Sequence, residues 1–221
     1  PDSMNEGCGK LRISEIFHSV QGESSQAGRP CSFVRLTGCN LRCAWCDTAC
    51  AFEGGDEMAV GEIVDKVLSH ETRLVLVTGG EPLLQPPVHG LLNALLDRGL
   101  EVMIETGGSL DIGSVDPRVR IVMDLKCPGS GMESRNRWEN LPLLKSSDEI
   151  KFVIRDRADY EWARRVLSER EISGGCAVLF SPVSGVLEKR LLAEWILEDR
   201  LEVRLQIQIQ KEIWPPGTRG V

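Results

Sequence analysis

The segment Ser32–Thr37 (SFVRLT) reads as a β-strand and runs straight into Cys39-Asn40-Leu41-Arg42-Cys43-Ala44-Trp45-Cys46. Three cysteines spaced C-x3-C-x2-C on one short loop constrain this chain more than any other feature. Each of Cys39, Cys43 and Cys46 can bind one iron of a 4Fe-4S cubane, which leaves the fourth iron without a protein ligand. That open position suits chelation by the amine and carboxylate of an amino acid. The competing reading is a zinc knuckle with Cys50 or His18 as fourth ligand. Zinc sites favour C-x2-C pairs with a second pair at a distance, and no second pair is present, so the spacing favours the cluster.

Eight cysteines occur in 221 residues, and Cys39, Cys43, Cys46 and Cys50 crowd into twelve of them. A secreted disulfide framework spreads its cysteines through a short chain. Crowding without a signal peptide reads instead as metal or cluster binding in a reducing cytoplasm. Cys8, Cys31, Cys50, Cys127 and Cys176 take the default role of small buried hydrophobes.

A chain of this length makes one domain, 1–221, with a sizeable core. Pro1-Asp2-Ser3 before Met4 read as an expression scar and are set aside. No apolar run is long enough to span a membrane. The formal charge of −7, from 26 basic and 33 acidic residues, argues against gripping a phosphate backbone. A small-molecule substrate is expected, with no nucleic acid and no membrane partner.

From Ser32 onward, short apolar strands alternate with helical patterns. Leu74–Thr78 (LVLVT) is apolar at almost every position, as a parallel strand covered on both faces should be. Glu101–Thr106, Arg120–Leu125, Glu149–Ile154 and Cys176–Phe180 are further strands, with a last strand-like stretch at Glu202–Gln208. Helical spacing marks Val60–His70, Val88–Arg98 with Gly99 as C-cap, Ala158–Ser168 and Leu187–Glu198. Gly107–Arg118 and Gly129–Ser147 show no helical period. The pattern predicts an α/β fold, a partial (β/α) barrel of about six parallel core strands with shortened crossover helices. Residues 10–31 form an N-terminal extension. An open doubly wound sheet has the same periodicity and stays open as the alternative.

Thr78-Gly79-Gly80-Glu81-Pro82 closes the LVLVT strand, and parallel sheets place ligands at the carboxyl ends of strands. Two glycines allow close backbone approach to a ligand, and Pro82 fixes the turn. Together with the cysteine spacing, this GGEP segment resembles the radical S-adenosylmethionine (SAM) superfamily, in which it receives the ammonium group of SAM. Narrower elements are Ile16-Phe17-His18-Ser19-Val20-Gln21-Gly22-Glu23, Gly28-Arg29-Pro30, Phe33–Leu41 and Cys46-Asp47-Thr48. These resemble the 7-carboxy-7-deazaguanine synthase family over nearly the whole chain.

The resemblance implies a lyase that converts 6-carboxy-5,6,7,8-tetrahydropterin to 7-carboxy-7-deazaguanine, with loss of ammonia, on the way to queuosine and related deazapurines. It implies a 4Fe-4S cluster, SAM and Mg²⁺ as cofactors, and an electron donor such as flavodoxin or ferredoxin. A homodimer in the cytoplasm is expected. For SAM it points to Trp45, Cys46, Asp47, Gly80, Asp124-Leu125-Lys126 and Ser181-Pro182-Val183-Ser184, and for Mg²⁺ to Thr48. For the pterin it points to Val20, Gln21, Gly22, Arg35 and Thr78. Strand alternation sets Phe33, Arg35 and Thr37 on one face, where Arg35 meets either the pterin carboxylate or an internal partner such as Glu105. Glu23 is the catalytic candidate, as proton donor or acceptor or as a group that orients the ligand. Thr48 alternatively caps the turn that follows it. Gln210 stands where many family members carry a histidine, replacing a titratable imidazole with an amide. Two rivals remain: a glycyl-radical-enzyme activase of the same superfamily and a non-catalytic metal-binding module.

Overall fold

The computed structural model describes residues 9–170, 175–215 and 218–221; Pro1–Ser3 and Cys8 lie outside the described residues. β1 (Lys10–Val20) pairs antiparallel with β2 (Pro30–Leu36) and with β3 (Asp56–Ala59). β4 (Leu74–Gly79), β5 (Glu101–Thr106), β6 (Arg120–Leu125), β7 (Glu149–Ile154), β8 (Ala177–Pro182) and the two-residue β9 (Arg204–Leu205) then add in parallel to β2. The sheet order is β3-β1-β2-β4-β5-β6-β7-β8-β9.

From β2 onward the order advances in one direction and never reverses. A doubly wound sheet reverses its order at a switch point, so the fold winds as a barrel does, but its two edges are not paired with each other. The sheet is open. Right-handed crossovers in one direction place the helices on one face. α1 (Val60–Leu68), α2 (Val88–Asp97), α3 (Arg157–Glu169) and α4 (Lys189–Glu198) accordingly bury Ile63, Leu91, Tyr160 and Leu192 in one core with Val34, Val77, Ile104, Phe152 and Phe180 of the strands. The other strand parity forms a second, smaller apolar cluster of Phe17, Cys31, Phe33, Leu74, Leu76, Met103 and Val122. This is the open face, and Phe17 and Phe33 stack across β1 and β2 with ring centroids 4.7 Å apart.

Local signals explain the element ends. Asp156 Oδ1 accepts a hydrogen bond from Asp159 N at the start of α3. Gly99, at φ +76°, follows α2 in the left-handed conformation expected of a C-terminal cap. The segments without helical period hold only 3₁₀ turns, at Pro128–Ser130, Glu133–Arg135 and Trp138–Leu143. The expected strand Glu202–Gln208 shrinks to β9. Cys31, Cys127 and Cys176 are buried as expected, whereas Cys50 is exposed. No described helix is long and apolar enough to cross a membrane.

Candidate active site on the open face of the sheet

The cysteine loop leaves the carboxyl end of β2 and is held by backbone from three directions. Gly38 N donates to Ala51 O at 2.7 Å, Glu81 N to Gly38 O at 2.8 Å, and Ala44 N to Ser130 O at 3.0 Å. Arg42 Nη1 donates to the carbonyls of Cys39 and Leu41, and its guanidinium lies 4.3 Å from the Phe52 ring centroid. All three loop cysteines are free thiols, Cys39 and Cys43 half-buried and Cys46 exposed. Burial pushes the Cys39 and Cys43 thiols up. Both feel Cys46, and both are pulled back by the Lys126 ammonium. Leu41 N also donates to Cys39 Sγ at 3.4 Å, the kind of hydrogen bond that tunes a cluster sulfur. Three free thiols from one loop, with the Lys126 ammonium acting on two of them to offset thiolate charge, are a donor set suited to a cubane.

The GGEP turn follows β4. A Cβ on Gly79 would lie 2.3 Å from Leu36 O, and one on Gly80 2.2 Å from Gly38 O. The glycines therefore permit close approach of the turn to the chain's own β2 end and cysteine loop. Gly80 N donates to Leu36 O at 3.2 Å, so its carbonyl is the group left to accept from a ligand ammonium. Glu81 is wholly buried and accepts from Leu83 N at 3.1 Å, Thr106 Oγ1 at 2.9 Å and Gly107 N at 2.7 Å. Burial pushes its carboxyl up while these donors pull it back. Glu81 thus locks the turn to the end of β5.

Strand parity brings Thr78, Glu105, Asp124 and Lys151 onto the open face. Lys151 Nζ bonds Glu105 Oε1, lies 3.0 Å from Glu23 Oε2 and 3.9 Å from Asp124 Oδ2. Thr78 Oγ1 donates to Glu105 Oε2 at 3.4 Å, and Lys126 Nζ lies 2.9 Å from Asp124 Oδ2. Burial works to lower the Lys151 ammonium, but Glu105, Glu23 and Asp124 together hold it well above its usual range. Burial likewise works to raise Glu23, and the Lys151 charge keeps it below the usual carboxylate range. Asp124 Oδ1 is buried without a hydrogen-bond partner, an acceptor that a ligand's donor would satisfy.

Arg35 is on the open face as alternation requires, but its internal partner is Glu15 of β1, not Glu105. Its Nε donates to Glu15 Oε1 at 2.7 Å. Gln21 is buried and its Oε1 accepts from Glu23 N at 3.2 Å, so Val20-Gln21-Gly22 forms the turn that presents Glu23. The Leu125 side chain is in the helix-side core, so only its backbone is available to a ligand. Ser181, Pro182 and Val183 are buried and Ser184 is exposed. Trp45 is half-buried with the Arg155 guanidinium 6.0 Å from its ring centroid.

The chain returns to this site at its C-terminal end. Ile209 N donates to Gly22 O at 3.0 Å, and Gln208 and Gln210 donate through Nε2 to Glu23 Oε1 at 2.8 and 3.1 Å. A Cβ on Gly22 would displace the flexible end of the Gln210 side chain and lie 3.1 Å from Gln210 N, so the C-terminal segment packs tightly on this glycine. In the short α5 (Gln210–Ile213), Lys211 pairs with Asp47. Farther along, Arg219 Nε lies 4.0 Å from Glu15 Oε2. Sequence reasoning missed Lys151 and Gln208 and considered Glu105 only as a partner for Arg35. The available signal was a lysine in the middle of the otherwise buried strand Glu149–Ile154 (EIKFVI).

An open, singly wound sheet with three free thiols on the loop after its first parallel strand is the arrangement of a radical SAM protein, and residues 33–169 match the Radical SAM superfamily. A 7-carboxy-7-deazaguanine synthase of Chlorobaculum tepidum is 50% identical over 214 residues, covering 96% of this chain and 97% of the relative. One of Koribacter versatilis is 44% identical, covering 96% and 100%. The chain belongs to the 7-carboxy-7-deazaguanine synthase family. The crystal structure of QueE from Escherichia coli shares the fold, with a TM-score of 0.76 at 23% identity over 90% of this chain and 94% of that one.

Proposed function

We propose that this chain is a single-domain radical SAM lyase that converts 6-carboxy-5,6,7,8-tetrahydropterin to 7-carboxy-7-deazaguanine by ring contraction with loss of ammonia, in queuosine and 7-deazapurine biosynthesis. The observation that carries the reading is half-identity to a named synthase over almost the full length of both chains. The site chemistry supports it. Cys39, Cys43 and Cys46 hold the 4Fe-4S cluster. Bound together, cluster and SAM would supply the radical chemistry, while the chain's own residues bind and orient the pterin. Gly80 O and the unpartnered Asp124 Oδ1 accept from SAM, with Trp45, Cys46, Asp47, the Leu125 backbone, Lys126 and Ser181–Ser184 around it.

Arg35 turns its guanidinium from Glu15 to the pterin carboxylate, a planar fork matched to two oxygens. Val20, Gln21, Gly22 and Thr78 border the ring, and Glu23 accepts from it. Thr48 contributes one oxygen to Mg²⁺, which keeps several waters and takes few protein ligands. An electron donor of the flavodoxin or ferredoxin type, a homodimer and a cytoplasmic setting complete the reading on family likeness.

The test is anaerobic incubation of reconstituted protein with SAM, dithionite, Mg²⁺ and 6-carboxytetrahydropterin, with mass spectrometry of the products. Appearance of 7-carboxy-7-deazaguanine is expected. SAM cleavage that leaves the pterin intact would overturn the substrate assignment.

A further inference from the structure

Lys151 is only 6% exposed, yet it is surrounded by carboxylates that are more open to the site than it is. It reaches Glu23 from the turn after β1, Glu105 from β5 and Asp124 from β6, and so joins three separated parts of the open face. Glu23 and Glu105 each give one oxygen to Lys151 and turn the other elsewhere. Glu105 Oε2 has a single long contact from Thr78 Oγ1, and Glu23 Oε1 takes the Gln208 and Gln210 amides. A reduced pterin is rich in N–H donors on its amino group and ring nitrogens, and ionised carboxylate oxygens held at fixed positions are their complement. We infer that Lys151 is a positioning residue that fixes the Glu23 and Glu105 carboxylates as acceptors for the pterin's N–H groups.

The inference rests on the pterin reading above and adds a role for a residue that reading does not use. Stability alone is a poor reason for such a group, because a buried ion pair gives little or nothing over well-packed apolar residues. The groups that face Glu23 are Lys151 from β7, Gln208 and Gln210 from the C-terminal segment, and Asp47 from the cysteine loop. Lys151 is faced by Glu23, Glu105 and Asp124, with Lys126 beyond Asp124. Without the lysine, burial and Asp47 both disfavour an ionised Glu23, and Glu105 loses the bond that sets its direction.

The experiment uses reconstituted protein with SAM bound and follows binding of 6-carboxypterin, the oxidised and unreactive analogue, by its fluorescence across pH. Lys151→Met should weaken binding at neutral pH by about tenfold or more, the loss of one or more charged hydrogen bonds. Its acid limb should move up by about one pH unit or more, because Glu23 then protonates more easily. Lys151→Arg keeps the charge and should retain the wild-type limb with most of the affinity. Should Lys151→Met fail to fold, Lys151→Met with Glu105→Gln removes both partners of one pair, and the upward shift of the limb should persist. Wild-type affinity and limb in Lys151→Met, or in that double variant, would overturn the inference. Equal weakening by Met and Arg with no shift of the limb would overturn it too, since shape alone would then explain the loss. Absence of binding to wild-type protein is a different result, which removes the pterin reading and this inference with it.

Discussion

Lys211 Nζ lies 2.6 Å from Asp47 Oδ2, which ties the C-terminal segment to the residue directly after the last cysteine of the loop. Burial alone would raise the Asp47 carboxyl, but the Lys211 charge and hydrogen bond hold it at about 2. A depressed carboxyl contributes above its ordinary range and loses that contribution as pH falls through its folded value. The tie therefore holds throughout the neutral range. Because Asp47 is half-exposed, the pair contributes about 1 kcal/mol or less and is weakened by salt. Lys211→Met should raise the pterin KM by up to about fivefold while leaving cluster absorbance unchanged, and high salt should reproduce part of that rise in the wild type. A KM insensitive to both would mean that the segment is held by Gln208, Gln210 and Ile209 alone.

The three cysteines should be separable from the fourth by spectroscopy. Cys39→Ala, Cys43→Ala or Cys46→Ala should each abolish the broad visible absorbance of anaerobically reconstituted protein. Cys50→Ala should retain it, because Cys50 is on the exposed 3₁₀ turn Ala49–Ala51 and is not among the groups that perturb Cys39 or Cys43. Loss in Cys50→Ala with retention in Cys46→Ala would reassign the ligands.

Much of the sheet was legible because β5, β6 and β7 each carry a short apolar run, Val102–Ile104, Ile121–Met123 and Phe152–Ile154, whose length and bounds suit a strand. Their bounds in the structure, Glu101–Thr106, Arg120–Leu125 and Glu149–Ile154, are those the pattern predicts. β1 was harder to see. A register shift between Ile13 and Glu15 changes the phase of its alternation, so Leu11 and Ile13 obey one parity and Phe17 is buried on the other face. β3 is four residues with Asp56 and Glu57 exposed, so Met58 and Ala59 alone are too short an apolar signal to mark a strand. In the site, the need for glycine at 79 and 80 was visible, but its cause was not. That cause is the approach of β4 to Leu36 and Gly38, a contact that exists only once β2 and β4 pair. Lys151 was hidden for the same reason, since its meaning depends on partners from three other segments.

Glu81 offers a stability test independent of any cofactor. Its buried carboxylate accepts from Thr106 Oγ1 and from the backbone of Leu83 and Gly107. Glu81→Gln would point an amide NH₂ at groups that are themselves donors, leaving buried donors unpaired at a cost of about 1–3 kcal/mol each. Thr106→Val keeps the shape but removes one donor to Glu81 and the acceptor of Gly108 N, and should cost about 1–2 kcal/mol. Thermal unfolding of the cluster-free protein should therefore rank wild type above Thr106→Val and Thr106→Val above Glu81→Gln. Equal midpoints for all three would show that the turn does not depend on this carboxylate.

Thr48 occupies the cap position of the turn Ala49–Ala51, the position where its hydroxyl would be expected to bond the turn's backbone. It makes no such bond. Instead Thr48 Oγ1 donates to Asp47 Oδ1 at 3.0 Å, which leaves the hydroxyl's lone pairs free to accept or to coordinate. A lone hydroxyl is a weak ligand. It becomes adequate for Mg²⁺ when a substrate supplies a carboxylate and a ring oxygen and water fills the remaining octahedral positions. The ion would then assemble only with the pterin in place. Thr48→Ala should keep its cluster absorbance and its SAM affinity, and its fold should be undisturbed because no capping bond is lost. Its turnover should no longer respond to added Mg²⁺, falling to the rate that wild-type enzyme shows in chelator. A variant that retains the wild-type Mg²⁺ activation curve would place the ion on other ligands and leave Thr48 with only its bond to Asp47.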